Sequence, residues 1–310
     1  MNMNIQTLDL TVGPLCYRLL AHDDWAVDLL DRIRATIDIG VGTDKNRKQI
    51  HLLRHPLSDL AIEQIGAELL PKELAACVDE TLPTSGWHCS GHEILHQLWR
   101  HPSSEHLFWT EGRENNPKPF RFHLPWQIIL EDILQIGGLI MHGGLAVRGK
   151  DGCLFTAPPG GGKSTALSNP SKDWQVLADD AALIWPESND RFMASSLPTW
   201  SVLIGDDCKP RQIAAWSLSR QVPVSAIMLL EKANDIRLTW PPAIEAAYPL
   251  YRACSEYPAV ILSRWNLRSK IFHNSCALAR AVPVWRLELP RNANIWPFIN
   301  EQIDHRHAAY

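Results

Sequence analysis

With 310 residues, 45% of them hydrophobic, the chain is long enough to bury a sizeable core and to hold two domains. Its 30 basic and 34 acidic residues leave a formal charge of −4, which excludes the basic footprint of a nucleic-acid-binding protein. Seven cysteines lie scattered with no C-x-x-C pair and read as reduced thiols, and the longest apolar stretch, near 136–147, is too short to cross a membrane.

The first residues, MNMNIQTLDLTVGPLCYRLL, lack a basic start and a continuous apolar segment, so no secretory signal is expected and the expected location is cytoplasmic. Strand-like segments run from Ile5 to Val12 and from Cys16 to Ala21, and helical patterns follow at Leu60 to Leu70 and at His92 to Arg100. Within the last of these, Gly91-His92-Glu93-Ile94-Leu95-His96 fits H-E-x-x-H. On a helix the two histidines would lie one turn apart, bind Zn²⁺ and leave Glu93 to activate water, as in a zinc metalloprotease. A third ligand is lacking at the metzincin spacing, since Trp99 replaces the glycine and Pro102 stands at the ligand position. An amphipathic helix with surface histidines is the preferred reading; His88 and Cys89 could otherwise join His92 and His96 in a structural site. Thirteen tryptophans, spread from Trp25 to Trp296, favour packing over a stacking platform for bases. The polar run Asn115-Asn116-Pro117-Lys118-Pro119 reads as a linker. It separates a smaller α+β N-terminal domain, 1–120, from a domain at 121–310.

The second domain opens with an amphipathic helix at Pro125 to Ile136 and an apolar strand at Gly137 to Val147 with His142 inside it. A lone histidine there is more often a hydrogen-bonded core residue, yet just before the next strand it could lean on an aspartate and tune its pKa. Residues Leu154 to Thr165 then read LFTAPPGGGKST: a short apolar run, a turn of proline and glycine, and Lys-Ser-Thr. Gly160, Gly161 and Gly162 can adopt φ > 0 and bring N–H groups close to an anion, whereas Pro158 and Pro159 carry none. The cradle must come from Gly160 through Thr165, with Lys163 reaching the β- and γ-phosphates of a nucleotide and Ser164 offering its hydroxyl to Mg²⁺. The first glycine of the phosphate-loop pattern is Ala157, held extended by the proline after it. Sixteen residues beyond Lys163, the apolar run Gln175 to Ala178 ends at Asp179 and Asp180. Adjacent residues of a strand face opposite ways, so one acid can hold Mg²⁺ while the other serves as general base. Further strands are expected at Val202 to Gly205 and Arg237 to Trp240, and helices at Ala243 to Ala253 and Asn266 to Ala281. The arrangement is α/β with ligands at strand carboxyl ends. Arg211, Lys232, Arg264 and Arg268 are further cations available to a triphosphate, none singled out by its spacing.

These pieces resemble the HPr kinase/phosphorylase family and its kinase relatives found beside peptide-modification genes. In that family a His-Gly strand, a short turn, a strand into the P-loop and an Asp-Asp strand end follow in this order. The similarity runs through MHGGLAVRGKDGCLFTAPPGGGKSTAL and VLADDAALI. It continues more loosely through Ala194 to Trp200, the strand Ala226 to Glu231, and VPVWRLELP followed by a helix, and so covers about residues 126 to 310. It implies a P-loop-containing domain like that of HPr kinase and PEP carboxykinase. Lys163 is thereby assigned to phosphate, Ser164 to Mg²⁺, and His142 with Asp179 and Asp180 to proton handling and metal.

The glycine-rich signature that follows the Asp-Asp strand in true HPr kinases is missing, so neither the reverse, phosphorylase reaction nor HPr as substrate is expected. A closer similarity is to cassette-associated members, including the SynChlorMet cassette family, and it implies a ribosomally made peptide or one of its modifying enzymes as partner. The expected function is an ATP- and Mg-dependent kinase acting on a hydroxyl of a peptide or protein, with no nucleic acid and no membrane involved. The alternative is a nucleotide-binding regulatory or scaffold protein, kept open by Ala157 and by Asn169-Pro170, which cut the helix after the loop short. The resemblance also implies a homo-oligomer, which no residue of this chain by itself requires.

Overall fold

The computed structural model describes residues 5–38, 47–54, 82–83, 85–93, 96–103, 105–110, 123–158, 160–168, 170–197, 216–256, 267–290 and 293–308. These form a mixed α/β protein of seventeen strands and six helices, in two compact units lying mainly before and after the step from Glu131 to Asp132. The boundary expected after residue 120, the helix expected at Leu60 to Leu70 and the strand expected at Val202 to Gly205 lie outside the described residues.

The first unit begins with a hairpin. Strands β1 (Gln6–Val12) and β2 (Leu15–Ala21) pair antiparallel around Gly13, whose φ of 58° is the left-handed conformation that such a turn requires. Leu8, Leu10 and Val12, then Tyr17, Leu19 and Ala21, are buried at every second position, the period of a half-buried strand. Helix α1 (Asp24–Thr36) follows, its start capped by Asp23 Oδ1, which accepts the Ala26 N–H at 2.8 Å. A two-residue strand, β3 (Ile37–Asp38), comes next. Strands β4 (Lys48–Arg54), β5 (His88–Glu93), β6 (His96–His101) and β7 (Glu105–Thr110) complete a six-stranded sheet of order β1-β2-β4-β7-β6-β5.

This hairpin of β5 and β6 corrects the helix expected at His92 to Arg100. Glu93 stands opposite His96 across antiparallel strands, so the two histidines do not share a helical face and the one-turn spacing that a zinc site needs is not formed. Gly91 sits at a register shift, and β7 supplies β6 with a full ladder, a tertiary pairing that outweighs a weak helical periodicity. No group of three metal-ligating side chains occurs among the described residues.

The second unit is built on a nine-stranded sheet. Helix α2 (His123–Gln135) leads into it, ending where Gly137, at φ 86°, and Gly138 donate N–H groups to Leu134 O and Ile133 O. The apolar segment expected as one strand is two, β8 (Leu139–His142) and β9 (Gly144–Arg148), broken at Gly143. Strand β10 (Asp151–Thr156) runs into the glycine loop and the six-residue helix α3 (Lys163–Ser168). Strands β11 (Gln175–Ala178), β12 (Ala181–Ser188) and β13 (Arg191–Ser196) follow. After the two-residue β14 (Trp216–Ser217) come the long β15 (Val222–Lys232), β16 (Arg237–Thr239) and β17 (Val284–Leu289).

Strand order is β11-β9-β10-β15-β13-β12-β8, with β17 against β15 and β16 against β17. Strands β10, β15 and β17 are mutually parallel, and β10 is buried along its whole length, as in a strand covered on both faces. Strands consecutive in the chain, β8 with β9 and β11 with β12, stand far apart in this order yet are joined by one residue and by two, so the sheet curls until its ends lie side by side, with β9 also against β12 and β13. Helices α4 (Ala243–Ser255), α5 (Arg268–Ala281) and α6 (Trp296–Ala308) complete the unit. Trp296 packs on Phe155 and Trp174, and Trp174 Nε1 donates to Asn300 Oδ1 at 2.7 Å, which holds α6 against the sheet. No helix among the described residues is long and apolar enough to cross a membrane, and Cys16, Cys89, Cys153, Cys254 and Cys276 are free thiols.

Asn274, buried on α5, donates to Leu134 O at 3.1 Å and Gly138 O at 2.9 Å, capping α2 through its side chain. Asn274→Ala, which leaves these carbonyls without that donor, is expected to destabilise the chain by about 2–3 kcal/mol in chemical denaturation.

Candidate functional site

The glycine loop takes its shape from backbone demands. Gly160 and Gly162 have φ of 71° and 95°, strained for any side chain, and a Cβ on either meets nothing within 4 Å, so both face open space. Gly161 is constrained otherwise: a Cβ there would stand 2.7 Å from Ala157 Cβ and 2.8 Å from Pro158 O. The loop closes on itself through Gly161 N–H to Pro158 O, 2.8 Å, and passes into α3 through Ala166 N–H to Gly162 O, 2.9 Å. At six residues α3 has a small macrodipole, which leaves Lys163 as the main positive charge at this position.

Two chain crossings bring the counter-charges. His142 ends β8 opposite Ala181, and between β11 and β12 the chain bends at Asp179 and Asp180. Gly143 N–H donates to Asp180 O at 2.9 Å and ties the crossings together. The Thr156 hydroxyl donates to His142 O at 3.2 Å and ties the first crossing to the end of β10. Asp180 Oδ1 consequently lies 3.1 Å from His142 Nε2 and 3.7 Å from Lys163 Nζ. The expectation that the two acids alternate on one strand does not hold. They form a bend, and their environments differ for that reason.

The electrostatics follow. The His142 hydrogen bond, with Lys163 adding to it, holds the Asp180 carboxyl below its ordinary value in spite of partial burial. Protein packed behind Asp179, with Asp180 beside it, raises that carboxyl instead. Burial lowers Lys163, whose side chain is 12% exposed, and the two aspartates partly offset this. A cleft of about 320 Å³ is lined by His142, the three glycines, Lys163, Thr165 and Asp180, but not by Asp179. A neighbouring cleft of about 340 Å³ adds Lys232, Leu289 and Pro290 around the same glycines. Ser164 follows Lys163 in α3; its side chain, like Arg211 and Arg264, lies outside the described residues. Thr156 and Gly143 had no signature in the sequence, because one acts through a hydroxyl on a carbonyl and the other through a backbone N–H.

A family model described as SynChlorMet cassette protein ScmC matches residues 120–304, more than half of the chain. No curated protein matches it.

Asp180 and Asp179 are expected to act on stability with opposite sign. A depressed carboxyl stabilises the fold above its unfolded value of 3.8 and loses that contribution as pH falls through the folded value. A raised one destabilises when ionised. In thermal melts at neutral pH, Asp180→Asn should lower the midpoint and Asp179→Asn should raise it; the Asp179 difference should fade as the pH falls through that group's raised folded value toward 3.8, and the Asp180 difference only as the pH drops below 3.8.

Proposed function

The chain belongs to the SynChlorMet cassette ScmC family, and from that premise we propose that it is an ATP- and Mg-dependent kinase, of the HPr kinase-like kind, that phosphorylates a hydroxyl on a peptide or protein partner. The observation that carries this reading is the meeting of Lys163, Asp180 and His142 at the mouth of a loop whose glycines leave open space for an anion. The donor set suits the groups it would hold. Loop N–H groups and a lysine match phosphate, and carboxylate with hydroxyl oxygen matches Mg²⁺. Ser164 and Asp179 are the residues that would hold the metal, which when bound would neutralise charge on the phosphates.

The work of the chain's own residues is positioning and proton transfer. Lys163 and the N–H groups from Gly160 to Thr165, apart from that of Gly161, which is held by Pro158 O, bind the β- and γ-phosphates and orient the terminal one. The acceptor oxygen forms a bond to the γ-phosphorus, the bond from that phosphorus to the bridging oxygen breaks, and its electron pair leaves with ADP. The hydroxyl proton goes to Asp180, which His142 orients from 3.1 Å. At rest Asp180 is held low, partly by Lys163. Once Lys163 turns to phosphate, that cation is shared and the carboxylate becomes a better base. The non-catalytic alternative, a nucleotide-binding regulator or scaffold, shares the first step and lacks the second, so one pair of variants separates them.

Calorimetric titration with ATP, GTP and pyrophosphate in Mg²⁺ should show binding that falls at least about tenfold in Lys163→Ala, the loss of a charge-assisted contact. Asp180→Asn should retain ATP binding and lose transfer to protein or peptide acceptors by about a hundredfold or more, the usual contribution of a general base. Absence of Mg-dependent nucleotide binding in the unmodified protein would overturn the kinase reading and the scaffold reading together.

A further inference from the structure

The glycine loop borders a third cavity, of about 210 Å³, which the reaction as described does not use. It shares Ala157 and Pro158 with the Lys163–Asp180 cleft, but none of the glycines and not Lys163. The remaining wall comes from β15 through Leu229 and Leu230 and from α4 through Tyr248, Pro249 and Ala253. Pro158 and the proline after it have no N–H, so this stretch of the loop has no donors for a phosphate. The charges at the rim are paired. Arg252 donates to Glu256 at 3.0 Å, and Glu231 meets Arg286 at 3.1 Å. The cavity is therefore apolar and close to neutral, and its volume suits one large side chain.

Its mouth opens onto exposed apolar surface. Tyr248, which lines the cavity, is 60% exposed, and Ile244, one helical turn before it on α4, is 74% exposed. Phe272, also exposed, stands edge-on to Tyr251 with ring centres 5.7 Å apart, and the Tyr251 ring lies 6.2 Å from that of Tyr248. Exposed aromatic residues grouped at one place mark contact surfaces, because they bury a large area with few rotatable bonds.

We propose that this cavity seats an apolar anchor side chain of a polypeptide acceptor, with the Ile244–Tyr248 face of α4 supporting the flanking chain, so that a nearby hydroxyl enters the Asp180 cleft. The proposal rests on the kinase reading above and names the acceptor's recognition element. The occupant follows from continuity: the cavity and the reaction cleft share the wall made by Ala157 and Pro158, so a chain lying in one reaches the other. A nucleotide is disfavoured there because Thr156 gives its hydroxyl to His142 O, Arg252 is paired with Glu256, and Glu231 adds negative charge to the lining.

The test uses the full chain and short synthetic serine peptides that differ only in carrying phenylalanine, leucine, alanine or glutamate beside the serine. Fluorescence polarisation reads their binding and labelled ATP reads transfer. Phenylalanine and leucine peptides should bind about tenfold or more tighter than alanine or glutamate peptides, the effect of burying one large apolar side chain. Tyr248→Ala should erase that preference while its melting midpoint and ATP affinity stay unchanged, and Tyr248→Phe should keep it. No preference in the unmodified protein, or a preference that survives Tyr248→Ala, overturns the docking proposal. So does a loss of ATP affinity in that variant, which would make the cavity a nucleotide subsite, or its conversion from a self-associated form to monomer with peptide binding unchanged. Failure of the unmodified protein to bind ATP is the separate failure of the kinase reading, and peptide preference measured by polarisation still decides the docking.

Discussion

One backbone hydrogen bond, from Gly143 N–H to Asp180 O, organises the candidate site. The sheet of the second unit places β8 and β9 far apart in its order, and β11 and β12 likewise, yet one residue joins the first pair and two join the second, so the sheet curls until its ends lie side by side and the chain crosses twice between them. The two crossings run side by side, and this bond fixes their register. A side chain at Gly143 would not allow it, since a Cβ there would stand 2.6 Å from Phe155 O. Because the crossings are locked, His142 and Asp180 meet. Because Thr156 donates to His142 O, both are referred to the strand that delivers the glycine loop. The charged triad is thus held by backbone geometry more than by its own attractions, which at partial exposure are worth little.

That geometry also explains how two neighbouring carboxyls acquire different character. Asp180 turns to a histidine and a lysine and is held low, whereas Asp179, exposed but with protein packed around it and the Asp180 charge beside it, is raised. Environments that push adjacent titratable groups apart are the means by which a site divides proton handling from charge stabilisation. Here the division comes from a bend in the main chain.

The glycine loop was legible in the sequence because its demands are local: positive φ, close backbone approach and a lysine at the start of a helix are all written in consecutive residues. Strand β16 and helices α4 and α5 were legible from local periodicity, whereas β15, β17 and α6 were reached through the family resemblance. The break at Gly143 was not, since an apolar run through His142 reads as one strand until its two halves are known to pair at different places in the sheet. The bend at Asp179 and Asp180 was hidden likewise. The segment from His92 to Arg100 misled because its periodicity is compatible with a helix, while the deciding partner, Glu105–Thr110, offers a ladder that only the fold supplies. Tyr248 and Ile244 were invisible because an apolar stripe on a helix looks the same whether it faces a core or solvent.

A last consequence concerns selectivity toward anions. The structure pairs Lys163 with Asp180 at 3.7 Å, on a loop in which two prolines remove N–H donors and the following helix has six residues. Such a site is largely self-neutralised, and an anion must displace the carboxylate from the lysine before gaining its charge. In the proposed reaction this cost falls most heavily on small monoanions, which replace one contact with one contact. A polyphosphate recovers it by adding contacts to the N–H groups from Gly160 to Thr165 other than that of Gly161. In the proposed reaction this has a rationale, since a base that is tied down until a polyphosphate arrives does not activate acceptor hydroxyls in its absence.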